Sequence, residues 1–66
     1  MENKKLAMDF AVLFQDFVRE LNNHDEALKA AYDKYEAQIT DISPKNTLFF
    51  IDGSKATWLG HGFQIH

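Results

Sequence analysis

The chain has 66 residues, a net charge of −3, 45% hydrophobic residues, 14% aromatic residues and no cysteine. A chain this short holds one small domain, so we expect residues 1–66 to fold as a single unit. The composition is too apolar for a disordered chain, and the lack of cysteine excludes disulfides and any metal, iron–sulfur or redox site built on thiolates.

The N-terminal segment matches neither a signal peptide nor a membrane span, because Asp9, Gln15 and Asp16 interrupt its apolar residues. We therefore expect a cytoplasmic protein that does not enter a membrane. The charge is unevenly distributed, since residues 1–42 contain nine of the ten acidic residues against five basic ones. This balance disfavours direct binding to nucleic acid, which rests on neutralising phosphates with lysine and arginine.

Glycine and proline divide the chain into two parts. Residues 1–42 contain neither, whereas residues 43–66 contain all three glycines and the single proline. Two sets of apolar side chains in the first part recur at helical spacing, namely Leu6, Phe10, Leu13, Phe14, Phe17 and Leu21, and then Leu28, Ala31, Tyr32, Tyr35, Ile39 and Ile42. We predict an α+β fold, with helix over residues 1–42 and a β-hairpin and tail over residues 47–66.

Two arrangements of the helical part agree with the sequence. Asn23 followed by Glu26 has the form of a capping box, which predicts a helical hairpin with a tight turn. A heptad repeat nevertheless continues through that turn, through Phe14, Leu21, Leu28, Tyr35 and Ile42. One continuous helix over this part would be about 55 Å long and would need a partner helix. We favour the hairpin and keep the long helix as the alternative.

The C-terminal part carries the signal of a β-hairpin. Residues 47–51 and 55–59 are rich in β-branched and aromatic residues and flank Asp52-Gly53, a dipeptide that favours a two-residue turn. Such a turn would pair Phe49 with Ala56 and Thr47 with Trp58. Gly60-His61-Gly62 predicts a tight turn or bulge that lets Trp58 pack on Phe63, after which residues 63–66 can form a short third strand.

No motif in the sequence is specific for catalysis or for metal binding. His61 and His66 do not have the spacing of a ligand pair on one helical turn, so we expect neither a metal nor a cofactor. Ser43 and Ser54 lack the Gly-x-Ser-x-Gly context of an activated serine, and Asp52-Gly53-Ser54 is typical of a turn. We therefore predict that the protein is not an enzyme.

The acidic side chains of the first helix suggest a function. Asp9, Asp16 and Glu20 fall on one stripe opposite much of the phenylalanine face, although an ordinary solvated face has the same spacing. A stripe of this charge suits a partner rich in lysine and arginine. Our first functional expectation is a non-catalytic interaction or inhibitory module, of the kind encoded by phages and mobile elements, that blocks a larger target with a basic surface.

Coverage of the apolar residues predicts a homodimer, because a two-stranded hairpin is too small to shield them all. The residues assigned to the core or the dimer interface are Phe10, Phe14, Phe17, Leu21, Leu28, Tyr35, Phe49 and Trp58. A second functional expectation is a small-ligand-binding module, with a pocket between subunits formed by Tyr32, Tyr35, Trp58 and His61. A small transcription regulator is a third.

Overall fold

The computed structural model describes residues 4–66 and contains two helices followed by a four-stranded antiparallel sheet. The elements are α1 (Lys5–Leu21), α2 (His24–Tyr35), a 3-10 turn (Glu36–Gln38), β1 (Ile39–Ile42), β2 (Thr47–Phe50), β3 (Lys55–Trp58) and β4 (Phe63–Ile65). Neighbouring strands in the sheet are consecutive in the chain. The predicted α+β class is confirmed, and so is the third strand after the hairpin.

The helices form a hairpin, and the alternative of one continuous helix is wrong. Helix α1 ends at Asn22, which takes the left-handed conformation with φ of 52° and donates its N–H to the carbonyl of Val18. Asn23 then caps α2, since its side-chain oxygen accepts the N–H of Glu26 at 3.0 Å. Asparagine tolerates both conformations, so two adjacent asparagines end one helix and begin the next.

Residues 39–42 form a strand, so the prediction of helix up to residue 42 is wrong for these four residues. Ile39, Thr40 and Ile42 are β-branched, which lowers their helix propensity and favours an extended backbone. The chain then reverses through Pro44–Asn46, where the N–H of Ser43 donates to the carbonyl of Thr47 at 2.8 Å. The apolar side chains of β1 thus continue the helical spacing of the preceding residues, although the backbone of β1 is extended.

The β2–β3 hairpin has a three-residue loop, Ile51–Gly53, instead of the predicted two-residue loop. Phe50 donates its N–H to the carbonyl of Ser54, and Gly53 donates its N–H to the carbonyl of Phe50, both at 3.0 Å. Gly53 closes the loop with φ of 88°. A loop of this length ends in a left-handed residue, for which glycine carries no steric cost.

The longer loop shifts the strand register by one residue and so exchanges the faces of β2. The observed pairs are Thr47–Thr57, Leu48–Ala56 and Phe49–Lys55, in place of the predicted Phe49–Ala56 and Thr47–Trp58. Leu48 and Phe50 are buried in the core. Phe49 lies on the opposite face, where the ammonium of Lys55 is 5.8 Å from its ring centroid. Phe49 is therefore not a core residue.

The N-terminus of α1 is capped by the β2–β3 hairpin and not by the side chain at its own N-cap position. Lys4 at the N-cap makes no side-chain capping bond, and the first turn contains no acidic residue. Asp52 Oδ2 accepts the N–H of Leu6 at 2.9 Å, and Ser54 Oγ accepts the N–H of Ala7 at 3.0 Å. The N–H and hydroxyl of Ser54 both donate to Asp52 Oδ1. Asp52 and Ser54 lie 46 and 47 positions further along the chain than the residues they cap. They thus satisfy two N–H groups of α1 that lack an intrahelical partner.

Phe10 and Phe14 form the centre of the core, and both are fully buried. Phe10 contacts the rings of Tyr35, Phe50 and Phe63, and Phe14 contacts those of Trp58 and Phe63, with ring centroids 5.0–5.7 Å apart. Four other residues assigned to the core or interface pack against this centre while half-buried, namely Phe17, Leu28, Tyr35 and Trp58. Leu21 is 45% exposed and lies outside the core.

The accessible surface of the chain is 4,510 Å². This area is close to the value of about 4,300 Å² that is expected for a folded monomer of 7.6 kDa. The homodimer was inferred from a two-stranded hairpin that is too small to cover the helices, and the four-stranded sheet removes that premise. Whether two copies associate stays a prediction.

The observed register predicts losses of stability of unequal size at two adjacent phenylalanines. Phe50→Ala should lower the free energy of unfolding by about 3–5 kcal/mol, because it opens a cavity in the core. Phe49→Ala on the outer face should lower it by about 1 kcal/mol or less. Urea denaturation of both variants, followed by circular dichroism, measures the difference. A larger loss in Phe49→Ala would indicate the register of the two-residue loop.

The cap on α1 predicts a pH-dependent stability. Desolvation raises the pKa of Asp52, but hydrogen bonds from the Ser54 hydroxyl, the Leu6 N–H and the Ser54 N–H outweigh it and leave the pKa below its ordinary value. The resulting stabilisation is complete above about pH 5 and is lost as the pH falls through the folded-state pKa, below about pH 4. The difference in Tm between wild type and Asp52→Asn should therefore shrink on acidification. A constant difference from pH 7 to about pH 2.5 would contradict this role of the carboxylate.

Candidate functional site

A cleft of about 310 Å³ opens between α2 and the inner face of the sheet. Its lining residues are Leu28, Lys29, Tyr32 and Asp33 from α2, Ile42 from β1, Asn46 from the β1–β2 loop, and Leu48, Trp58 and Phe63 from the other strands. Small-molecule sites in proteins begin at about this volume. The cleft can therefore hold one compact apolar group.

Helix α2 forms one wall of the cleft. Its side chains are small where it faces α1 and larger where it faces the cleft. Ala27 and Ala31 are fully buried, and these small side chains let α2 lie closely on α1. Leu28 and Tyr32, one position further along the chain, recur at the same four-residue spacing and are half-buried on the cleft side. Leu28 and Tyr32 thus form the wall because they are larger than the two alanines and lie next to the contact of α2 with α1.

The sheet forms the opposite wall with three inward-facing side chains. Trp58 and Phe63 are directly paired across β3 and β4, with ring centroids 5.0 Å apart at an angle of 52°. Phe14 contacts the Trp58 ring edge-on at 5.2 Å from the core side. Leu48 continues the wall and is only 7% exposed. Core packing by Phe14 thus supports this aromatic floor from behind.

The rim of the cleft carries polar and charged side chains. Lys29 and Asp33 are exposed on α2 and lie four residues apart, and Asn46 is exposed at the other side. Within residues 4–66, neither Lys29 nor Asp33 makes an ion pair or a side-chain hydrogen bond. One ammonium and one carboxylate without partners therefore stand at the opening of an apolar cleft.

The pocket expected from the sequence coincides only in part with this cleft. Tyr32 and Trp58 line it, but Tyr35 and His61 do not. Tyr35 packs edge-on against Phe10 at 5.7 Å and belongs to the core, while His61 is exposed in the β3–β4 turn. The cleft is also formed within one chain, whereas the expected pocket lay between subunits.

Most of the lining residues were not assigned to a site by sequence reasoning. Ile42 is among the residues predicted to be helical, and Lys29, Asp33 and Asn46 are not among the predicted site residues. A usable signal was the run Ile39-Thr40-Asp41-Ile42 followed by Ser-Pro, since β-branched residues before a turn favour a strand. Recognising β1 would have placed a sheet edge opposite α2.

The acidic stripe of α1 is partly neutralised. Lys5 Nζ lies 3.0 Å from Asp9, and Arg19 lies 3.6 Å from Asp16. The hydrogen bond with Asp9 and the charge of that carboxylate raise the pKa of Lys5. Glu20 makes no ion pair within the described residues. The stripe thus presents less negative charge than its three carboxylates alone would give.

Among residues 4–66, the remaining hydroxyl, carboxylate and imidazole groups do not converge on a catalytic geometry. Ser54 and Asp52 are engaged in capping α1. The Thr57 hydroxyl lies 2.9 Å from Nε2 of His66 and 3.0 Å from the Thr47 hydroxyl, on the outer face of the sheet and away from the cleft. A nucleophile needs a substrate site beside it and donors for the developing oxyanion. Across residues 4–66, no group of three or more histidine, aspartate or glutamate side chains could hold a metal ion.

No helix in the described part of the chain is both long and apolar enough to span a lipid bilayer.

Comparison with other proteins gives no relative. No family model matches the chain, and neither a curated protein nor a solved structure matches it.

Proposed function

We propose that this protein is a non-catalytic binding module, and that the cleft between α2 and the sheet binds the apolar part of a small ligand. The observation that carries the proposal is the cleft itself, which is walled by Leu28, Leu48, Trp58 and Phe63. Protein interiors are close-packed, and a domain this small depends on most of its apolar contacts. An apolar cleft of this size offers an apolar group of a ligand the contacts that favour binding.

Preorganisation supports binding at this place. Phe14 is fully buried and contacts both Trp58 and Phe63, so it holds the floor of the cleft from behind. A ligand that enters a cleft of fixed shape loses little free energy to ordering of the protein. Entry of an apolar group would also bury part of Ile42, which is 49% exposed at the edge.

The acidic interaction module remains a second candidate, favoured by the exposed Glu20 and by the net charge of −3. Its surface is the stripe of Asp9, Asp16 and Glu20. Two of these carboxylates have a basic neighbour on the same helix, so the geometry supports this candidate less than the cleft.

Titration with benzyl alcohol tests the cleft, with amide shifts followed by NMR. We expect shifts confined to residues 28–33, 42–48 and 58–63, and a change in fluorescence of Trp58, the only tryptophan. Leu28→Gln should weaken binding about fivefold or more by placing an amide in the apolar wall. Leu21→Gln is the matched control, since Leu21 is a half-exposed helical leucine outside the cleft. Shifts scattered over the surface, or equal binding by both variants, would refute the proposal.

A lysine- and arginine-rich peptide tests the acidic stripe. The variant Asp16→Lys/Glu20→Lys should weaken binding of such a peptide and lower its association rate, with the largest effect at low salt. Asp25→Lys/Glu26→Lys, two exposed carboxylates in the first turn of α2, controls for net charge alone. Equal losses in the two double variants would mean that the stripe is no specific docking surface.

A further inference from the structure

Two charges of opposite sign, neither of them in an ion pair within residues 4–66, lie at the opening of the cleft. Lys29 and Asp33 both line it, and their positions on α2 place their Cβ atoms about 5–6 Å apart. Both side chains are exposed, so they can move without disturbing the core. A ligand held in the cleft would therefore meet a cation and an anion side by side.

The charge pair discriminates among ligand classes. A purely anionic ligand would gain from Lys29 and be repelled by Asp33, and a purely cationic ligand would meet the reverse. A ligand that carries an ammonium and a carboxylate close together gains from both side chains. The walls below the rim are apolar and require that the rest of this ligand be apolar as well.

We propose, on the basis of the cleft's binding function, that its ligand is a free α-amino acid with a large apolar side chain. The ammonium of the ligand pairs with Asp33, its carboxylate pairs with Lys29, and its side chain enters the cleft between Leu28 and the Trp58–Phe63 floor. The volume of about 310 Å³ accommodates one ring or one branched aliphatic chain.

A free amino acid matches the rim better than the end of a peptide does. An N-terminal residue presents an ammonium without a carboxylate, and a C-terminal residue presents a carboxylate without an ammonium. Only the free amino acid carries both groups on one carbon atom. Its charged groups stay at the exposed rim, where they keep part of their hydration, so no charge is buried.

Four small molecules separate the contributions of the two charges. They are L-phenylalanine, phenethylamine without the carboxylate, 3-phenylpropanoate without the ammonium, and benzyl alcohol without either charge. For ligands of this size we expect dissociation constants on the order of millimolar. At low salt and neutral pH, L-phenylalanine should bind roughly fivefold more tightly than either singly charged analogue. Amide shifts in NMR titrations measure all four constants and locate the site.

Charge-removing variants test each side chain separately. Lys29→Gln should reduce the affinity for L-phenylalanine to that for phenethylamine, and Asp33→Asn should reduce it to that for 3-phenylpropanoate. Lys34→Gln and Asp25→Asn are matched controls on α2 that do not line the cleft, and they should leave the affinity for L-phenylalanine unchanged.

The outcomes distinguish this inference from the broader binding function. Equal binding of all four molecules in the cleft would overturn the amino-acid ligand and leave an apolar binding site. Tightest binding of phenethylamine or of 3-phenylpropanoate would likewise overturn it, in favour of a singly charged ligand. Failure of all four to shift cleft residues would overturn both the ligand and the cleft's binding function.

Discussion

The fold depends on the hydrogen bonds that join the β2–β3 hairpin to the first turn of α1. Lys4 at the N-cap and Lys5 at the start of α1 carry positive charges, which are unfavourable beside the N-terminal end of a helix dipole. Asp52 brings a negative charge and an acceptor for Leu6 to this end of the helix. Ser54 is 1% exposed, so water cannot readily replace its bond to α1. These bonds therefore hold the first turn of α1 against the β2–β3 hairpin.

This fixed start positions the rest of the core. Phe10 and Phe14 follow on the same helix face and meet the inward side chains of the strands. Ala27 and Ala31 then bring α2 close to α1, on the β1 side of the sheet. Because α2 packs mainly on α1, its other face stands off from β1 and β2. The cleft is the space left by a helix that packs closely on one side only.

Local signals predicted the elements, and long-range contacts determined what the sequence left open. The apolar periodicity of α1 and the N-cap at Asn23 need only neighbouring residues, and the structure contains both. The register of the hairpin was predicted wrongly because Asp52-Gly53 signals a turn but not its length. In the structure Asp52 and Ser54 must both reach α1, and the three-residue loop places them there. No residue close to the hairpin in the sequence indicates that Asp52 and Ser54 contact α1.

The candidate site was hidden from the sequence for a related reason. A lysine and an aspartate four residues apart on an exposed helix face are usually a solvated pair. These two charges indicate a binding site only because they lie beside an apolar cleft. Strand β1 contributes to that cleft, and its apolar residues have the spacing of a helix in the sequence. The apolar walls would supply most of the affinity, and the solvated charges at the rim would decide which ligand binds. This division suits reversible binding, since an ion pair that stays in contact with water forms and breaks with little change in free energy.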